Sequence, residues 1–179
     1  MRCIAETSPR PPHDLTGSPV RGEWHLREYR SLDTPDIVQI VQEALHERYD
    51  PSLYQSLSQQ WPEGFLVAAD GADRPVGFLL GVNQVEREAR VLMFAVDREY
   101  RHRGVGTLLM DRFLERCRQR GFGRVTLEVR VSNATAIRFY SRYGYSVTDL
   151  LRGYYTDGEN GYQMARELSG PGLPAGAKR

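Results

Sequence analysis

The sequence predicts a mixed α/β domain in which a mostly antiparallel, twisted sheet of about seven strands carries helices on both faces. Three observations carry that expectation. Short apolar runs separated by polar turns fill residues 64–97 and read as an antiparallel meander. Segments 104–120 and 133–143 place apolar residues at helical spacing and alternate with strand-like runs. Finally, 179 residues with 40% hydrophobic content can close an ordinary core.

Along the chain, residues 1–22 contain four prolines and few apolar residues, and residues 169–179 (SGPGLPAGAKR) are rich in Gly, Pro and Ala. Both read as flexible tails around a domain at 23–168, because neither can bury enough surface to offset its ordering entropy. Glu23 to Arg30 alternates as a first strand. Asp33-Thr34-Pro35-Asp36 is a helix start, with Thr34 as the expected cap and Pro35 in the first helical position. That helix buries Ile37, Ile40, Val41, Ala44 and Leu45, and Asp50-Pro51 opens a shorter one reaching about Gln59. Strands at 64–69 and 75–83 flank the turn Asp70–Arg74, and a strand at 90–97 follows the charged turn Glu86–Glu88.

The next helix, Gly104 to Arg120, sets Val105, Leu108, Leu109, Phe113 and Cys117 against a basic face, and Gly121-Phe122-Gly123 stops it. A strand at 124–130, a helix from Asn133 to Tyr143, and strands Tyr145–Leu151 and Gly161–Leu168 complete the pattern.

A net charge of +1 makes any anion site local rather than global. Arginines 98, 101, 103, 112, 116, 118 and 120 are interrupted by Glu99, Asp111 and Glu115, which describes a solvated surface rather than a nucleic-acid interface. Cys3 and Cys117 suit no metal or redox spacing, nor do His13, His25, His46 and His102, so no metal is expected. No apolar run reads as a signal peptide or membrane span, so a cytoplasmic location is the default expectation.

The chemistry-bearing segment is Val96 to Thr107, a strand-to-helix turn. Gly104 and Gly106 let the backbone approach a ligand, and the helix start offers unpaired N–H groups. Arg101, His102 and Arg103 add positive charge beside them. Together they suit a diphosphate, although a tight turn with solvated arginines would look the same. No third glycine completes a dinucleotide fingerprint.

Arg101-x-x-Gly104-x-Gly106 and Asn133-Ala134-x-Ala136-x-x-x-Tyr140-x-x-x-Gly144-Tyr145 resemble the signature of the GCN5-related N-acetyltransferase (GNAT) superfamily. Leu127-Glu128-Val129-Arg130-x-Ser132-Asn133 and Gly153-Tyr154-Tyr155-x-Asp157-Gly158-Glu159 resemble, within it, N-terminal amino-acid acetyltransferases of the bacterial ribosomal-protein-alanine and archaeal/eukaryotic ribosome-associated types. The resemblance is strong over 90–168 and looser over 24–89. It implies a GNAT fold, acetyl-coenzyme A as cosubstrate, no metal, and a protein or peptide N-terminus as acceptor. Ribosome association and a monomeric or homodimeric state belong to the same expectation.

By resemblance, Phe94, Ala95 and Val96 hold the pantetheine through backbone hydrogen bonds, and Arg101, His102, Arg103, Gly104, Val105, Gly106 and Thr107 cradle the pyrophosphate. Asn133 contacts the pantetheine arm, and Tyr140 stands near the thioester sulfur. Glu128 becomes the base and Tyr140 the acid. Glu47, Tyr49, Tyr154 and Tyr155 line the peptide site. One departure stands out: archaeal relatives often carry a histidine where this chain has Arg90, which has no basic lone pair to offer. That shifts weight to Glu128, with Glu47 as a second carboxylate.

Read without the resemblance, Glu128 is a solvent-facing strand glutamate paired with Arg130 or Arg124, Tyr140 is core, and Tyr154 and Tyr155 pack over a sheet edge. Acetyl transfer needs a neutral amine, a polarised thioester and a proton for the thiolate. An α-amine, at about 7.7–8.0, meets the first need more easily than a lysine at about 10.4. The alternatives are a lysine or small-molecule amine acetyltransferase and, in a different class, a non-catalytic acyl-CoA-binding regulatory module.

Overall fold

The computed structural model describes residues 24–45 and 48–168. The elements in order are β1 (His25–Glu28), α1 (Thr34–Leu45), α2 (Pro51–Gln60), β2 (Phe65–Ala69), β3 (Pro75–Val85), β4 (Glu88–Val96), α3 (Val105–Gln119), β5 (Arg124–Arg130), α4 (Ala134–Arg142), β6 (Ser146–Leu151) and β7 (Gly161–Glu167). The tail segments 1–22 and 169–179, and Glu47, lie outside the described residues.

The seven strands form one sheet in the order β1-β2-β3-β4-β5-β7-β6. Only β4 and β5 pair in parallel. This is the mixed, mostly antiparallel sheet expected from the apolar runs, and α3 supplies the crossover that a parallel pair requires.

Strand alternation sorts the core into two layers. On one face Leu79, Val91, Val125, Leu127 and Val129 pack with Leu109, Phe113 and Cys117 of α3 and with Tyr140 of α4. On the other, Phe78, Leu80, Leu92 and Met93 meet Ile37, Ile40, Val41 and Leu45 of α1 and Tyr54 of α2. Burying a side chain such as Phe113 completely contributes about 1.5–3 kcal/mol. Burial pushes the Cys117 thiol up to about 12, so it is an inert core group rather than a nucleophile.

Three local expectations are corrected. Thr34 is not the cap of α1: its backbone is helical, and its hydroxyl donates to Ser31 O at 2.8 Å. A short 3-10 turn at Ser31–Asp33 leads into the helix instead, with Asp33 accepting from Arg30 N at 2.7 Å. Leu108 is 38% exposed, while Met110 and Leu114 share the buried stripe of α3. The first strand is also shorter than 23–30.

Candidate active site

The parallel ladder between β4 and β5 runs from Glu88↔Arg124 to Val91↔Leu127 and ends there. Beyond it, Phe94, Ala95 and Val96 still pair with β3 on their far side, and Glu128 to Arg130 still pair with β7. The two strands therefore part, each turning one row of backbone groups into the gap. The cause is local. Leu80 faces Met93 and Gly81 faces Val91, so Leu92 is an extra residue that bends β4 where the ladder stops. An extended ligand bearing amides fits such a gap as an added strand. The resemblance assigns Phe94, Ala95 and Val96 to that role.

At the end of β4 the chain makes a 3-10 turn over Arg98–Tyr100, and Asp97 accepts from Glu99 N at 2.9 Å. Gly104 then takes φ +90° immediately before α3, a left-handed value that strains any residue with a Cβ. A Cβ on Gly106 would come within 3.3 Å of the Phe94 ring, so this turn of helix lies directly against β4. The N–H groups of Val105, Gly106 and Thr107 are the orphan donors of α3, which is the cradle a diphosphate needs.

The flanking cations are not equivalent. Arg101 donates through Nε to Val96 O at 3.0 Å, tying the turn to the strand. Arg103 lies 5.7 Å from the Tyr100 ring centroid, and His102 is exposed. Val105 has a buried side chain, so only its backbone can face a ligand.

Two further residues come from α4. Asn133 is the N-cap, its side chain accepting from Ala136 N at 3.0 Å. Tyr140 is fully buried among Phe94, Phe139 and Tyr145, with ring centroids 6.5, 5.5 and 5.8 Å away. It belongs to the α3/α4 face, and Phe94 connects it to the parted stretch of β4.

Glu128 stands on the opposite face. It alternates with Val125, Leu127 and Val129, is 4% exposed, and is the first residue of β5 past the ladder. Its partner is neither Arg124 nor Arg130. Arg90, on β4, donates to Glu128 Oε2 from Nε at 2.9 Å and from Nη2 at 2.6 Å. The same Nη2 donates to the Tyr154 hydroxyl at 3.0 Å. Burial alone would lower the Arg90 pKa, but the charge and hydrogen bonds of Glu128 reverse the direction and hold it above the ordinary guanidinium value. Arg90 is thus the ion-pair partner of the candidate base.

The loop at 152–160 is fastened to the end of β5. Arg130 pairs with Asp157 at 2.8 Å and with Glu159, and Glu159 also accepts from Ser132 N at 3.0 Å. Hydrogen bonding from Ser132, then from Arg130, holds the Glu159 carboxyl below the usual range. The Arg130 guanidinium sits 4.1 Å above the Tyr155 ring, which is 2% exposed. Adjacent tyrosines therefore have different surroundings: Tyr154 reaches the Arg90–Glu128 pair, whereas Tyr155 is buried under Arg130. Tyr49 is partly buried against the α1/α2 core.

Sequence reasoning missed Arg90 as a partner and Arg130 as a loop anchor. A weak signal existed, since Arg90 is a charge inside an apolar strand and Arg130 is the residue that ends one. Among the described residues, no group of His, Cys, Asp and Glu is arranged to hold a metal ion, and no helix is long and apolar enough to cross a membrane.

The model of the Acetyltransferase (GNAT) family matches residues 34–145, which spans both the parted strands and the glycine turn. The chain belongs to the GNAT family. Similar GNAT proteins include N-alpha-acetyltransferase 30 of Schizosaccharomyces pombe, 33% identical over 132 residues, covering 72% of this chain and 87% of the relative. Ard1 from Thermoplasma volcanium superposes with a TM-score of 0.79 at 41% identity, covering 82% of this chain and 99% of that one. The ribosomal-protein-S18-alanine N-acetyltransferase from Escherichia coli gives 0.73 at 26% identity, covering 86% and 99%. As a GNAT member, the chain is an acyltransferase built on the expected fold.

Proposed function

We propose that this GNAT enzyme transfers acetyl from acetyl-coenzyme A to the α-amine of a protein N-terminus. The observation that carries the reading is the parting of β4 and β5 between two unlike faces. The glycine turn and Tyr140 lie to one side of it, and Glu128 and Tyr154 to the other. Relatives named for N-alpha-acetylation and for alanine acetylation of a ribosomal protein support this acceptor.

The coenzyme supplies the activated acetyl thioester. The backbone of Phe94 to Val96 and the N–H groups at Val105 to Thr107 hold it, with His102 and Arg103 adding charge at the turn. Glu128 takes the proton from the attacking amine, directly or through one water, as the N–C bond forms. Tyr140 gives a proton to the thiolate as the C–S bond breaks. Arg90 places both of its bonds to Glu128 on Oε2, which leaves Oε1 as the proton acceptor. No covalent acyl-enzyme is needed. Tyr154 and the loop held by Arg130 cover the acceptor, with Tyr49 on the α1–α2 side.

A cytoplasmic site of action close to the ribosome belongs to the same proposal, supported by the ribosomal-protein substrate named for the Escherichia coli relative. Free-thiol release from acetyl-coenzyme A across a panel of N-terminal peptides, lysine peptides and small amines tests the function. Turnover is expected with free N-terminal peptides. Coenzyme binding without turnover on any amine would refute it.

A further inference from the structure

A carboxylate that is 4% exposed requires a counter-charge, because removing an ion from water costs several kcal/mol in real proteins. Arg90 provides it from an unexpected direction. The register pairs Arg90 with Thr126, so Glu128 is one side-chain step further along the same face of the adjacent strand. The guanidinium spans that step with two bonds to a single oxygen, Oε2, and then continues to the Tyr154 hydroxyl. Arg90 is itself held between the strands with 21% of its side chain exposed.

The other charges on this face are committed elsewhere. Arg124 lies between Glu88 and Glu167, at 3.7 and 3.6 Å. Arg130 is taken by Asp157 and Glu159. From β7, the cross-strand neighbour of Glu128 is the uncharged Gln163, followed by Ala165 opposite Thr126. Among the described residues, Arg90 is the cation on Glu128.

We propose that Arg90 is the positioning residue of the general base: its fixed guanidinium holds the buried Glu128 side chain in one orientation, reserves Oε1 for the proton of the amine, and couples that carboxylate to Tyr154 over the acceptor. This rests on the α-amine reading above and deepens it. Arg90 exchanges no proton. It acts through Glu128.

The expected signature is a loss of turnover that exists only while Glu128 is present. Without the two bonds to Oε2 the carboxylate can turn away from the amine, so kcat falls while coenzyme binding holds. The test measures kcat and both KM values with a free N-terminal peptide. The proteins are the wild type, Arg90→Met, Arg90→Lys, Glu128→Gln and the Arg90→Met/Glu128→Gln double variant.

Arg90→Met should lower kcat at least ~10-fold, with KM for acetyl-coenzyme A unchanged. Arg90→Lys keeps the charge and one donor toward Oε2, and should recover part of that loss. In the Glu128→Gln background, Arg90→Met should add less than ~2-fold, because two residues acting as one unit are not additive. A loss from Arg90→Met that appears in KM for acetyl-coenzyme A rather than in kcat, or that is equally large in the Glu128→Gln background, would overturn the proposal. The double variant removes both charges together, so it remains measurable if the single variant folds poorly. Failure of the underlying reading looks different. A wild type inactive on α-amines, or Glu128→Gln with full turnover, would be seen before any Arg90 variant, and would take this inference with it.

Discussion

The two sides of the parted strands are made of different material. The side proposed for the coenzyme is mainly backbone: a bulge at Leu92, strand amides at Phe94 to Val96, left-handed Gly104, and the first N–H groups of α3. The side proposed for the acceptor is side-chain charge: Arg90 with Glu128 and Tyr154, and Arg130 with Asp157 and Glu159. Backbone sites follow from local conformation and bind any ligand that shares one shape. Side-chain networks assemble only after distant segments pair, and they can be exchanged one residue at a time.

That contrast can be tested by substitutions aimed at each side. The largest effect is expected at the proton-transfer groups. Glu128→Gln or Tyr140→Phe should lower kcat by ~10²–10⁴-fold while leaving acetyl-coenzyme A affinity, measured by calorimetry, nearly intact. Next is Gly104→Ala, which forces a Cβ into φ +90°. It should cost about 1–2 kcal/mol in stability or in coenzyme binding, read from denaturant titration and coenzyme Kd, with the peptide KM little changed. Arg130→Met should then act on the other side alone, raising the peptide KM by about 3- to 10-fold as the loop over the acceptor loosens, while the coenzyme KM holds.

The smallest effect serves as a control. Asp73 lies in the β2–β3 turn, where hydrogen bonding from Arg27, reinforced by His25 and Arg30, holds its carboxyl down to about 2. A depressed carboxyl stabilises the fold above its unfolded value of about 3.9, and that contribution fades as pH falls through the folded value. Asp73→Asn should thus flatten the loss of stability between pH 4 and about 2, with turnover at neutral pH unaltered. A turnover change would show that the two sides are less local than their geometry implies.

Legibility in the sequence follows the same division. Strand and helix order, the meander, and the glycine turn are encoded in local periodicity and in residues with special backbone freedom, and each is where the pattern placed it. The bulge at Leu92 left no mark, because Val91-Leu92-Met93 is apolar throughout and one extra residue does not alter composition. The partner of Glu128 was equally hidden. Arg124 and Arg130 are near in sequence, while Arg90 becomes adjacent only through the parallel register. Tyr154 and Tyr155 were indistinguishable as neighbours until Arg130 covered one and Arg90 reached the other. Thr34 failed as a cap for a simpler reason, since Asp33 satisfies the preceding backbone first.

The most direct test of the whole account uses one peptide sequence in two forms, each containing an internal lysine, with the N-terminus free in one and blocked in the other. Both are incubated with the enzyme and acetyl-coenzyme A, and the acetylated position is mapped by fragmentation mass spectrometry. A single acetyl group on the α-amine of the free peptide, with the blocked peptide untouched, is the predicted result. Acetylation of the lysine in the blocked peptide at a comparable rate would contradict it.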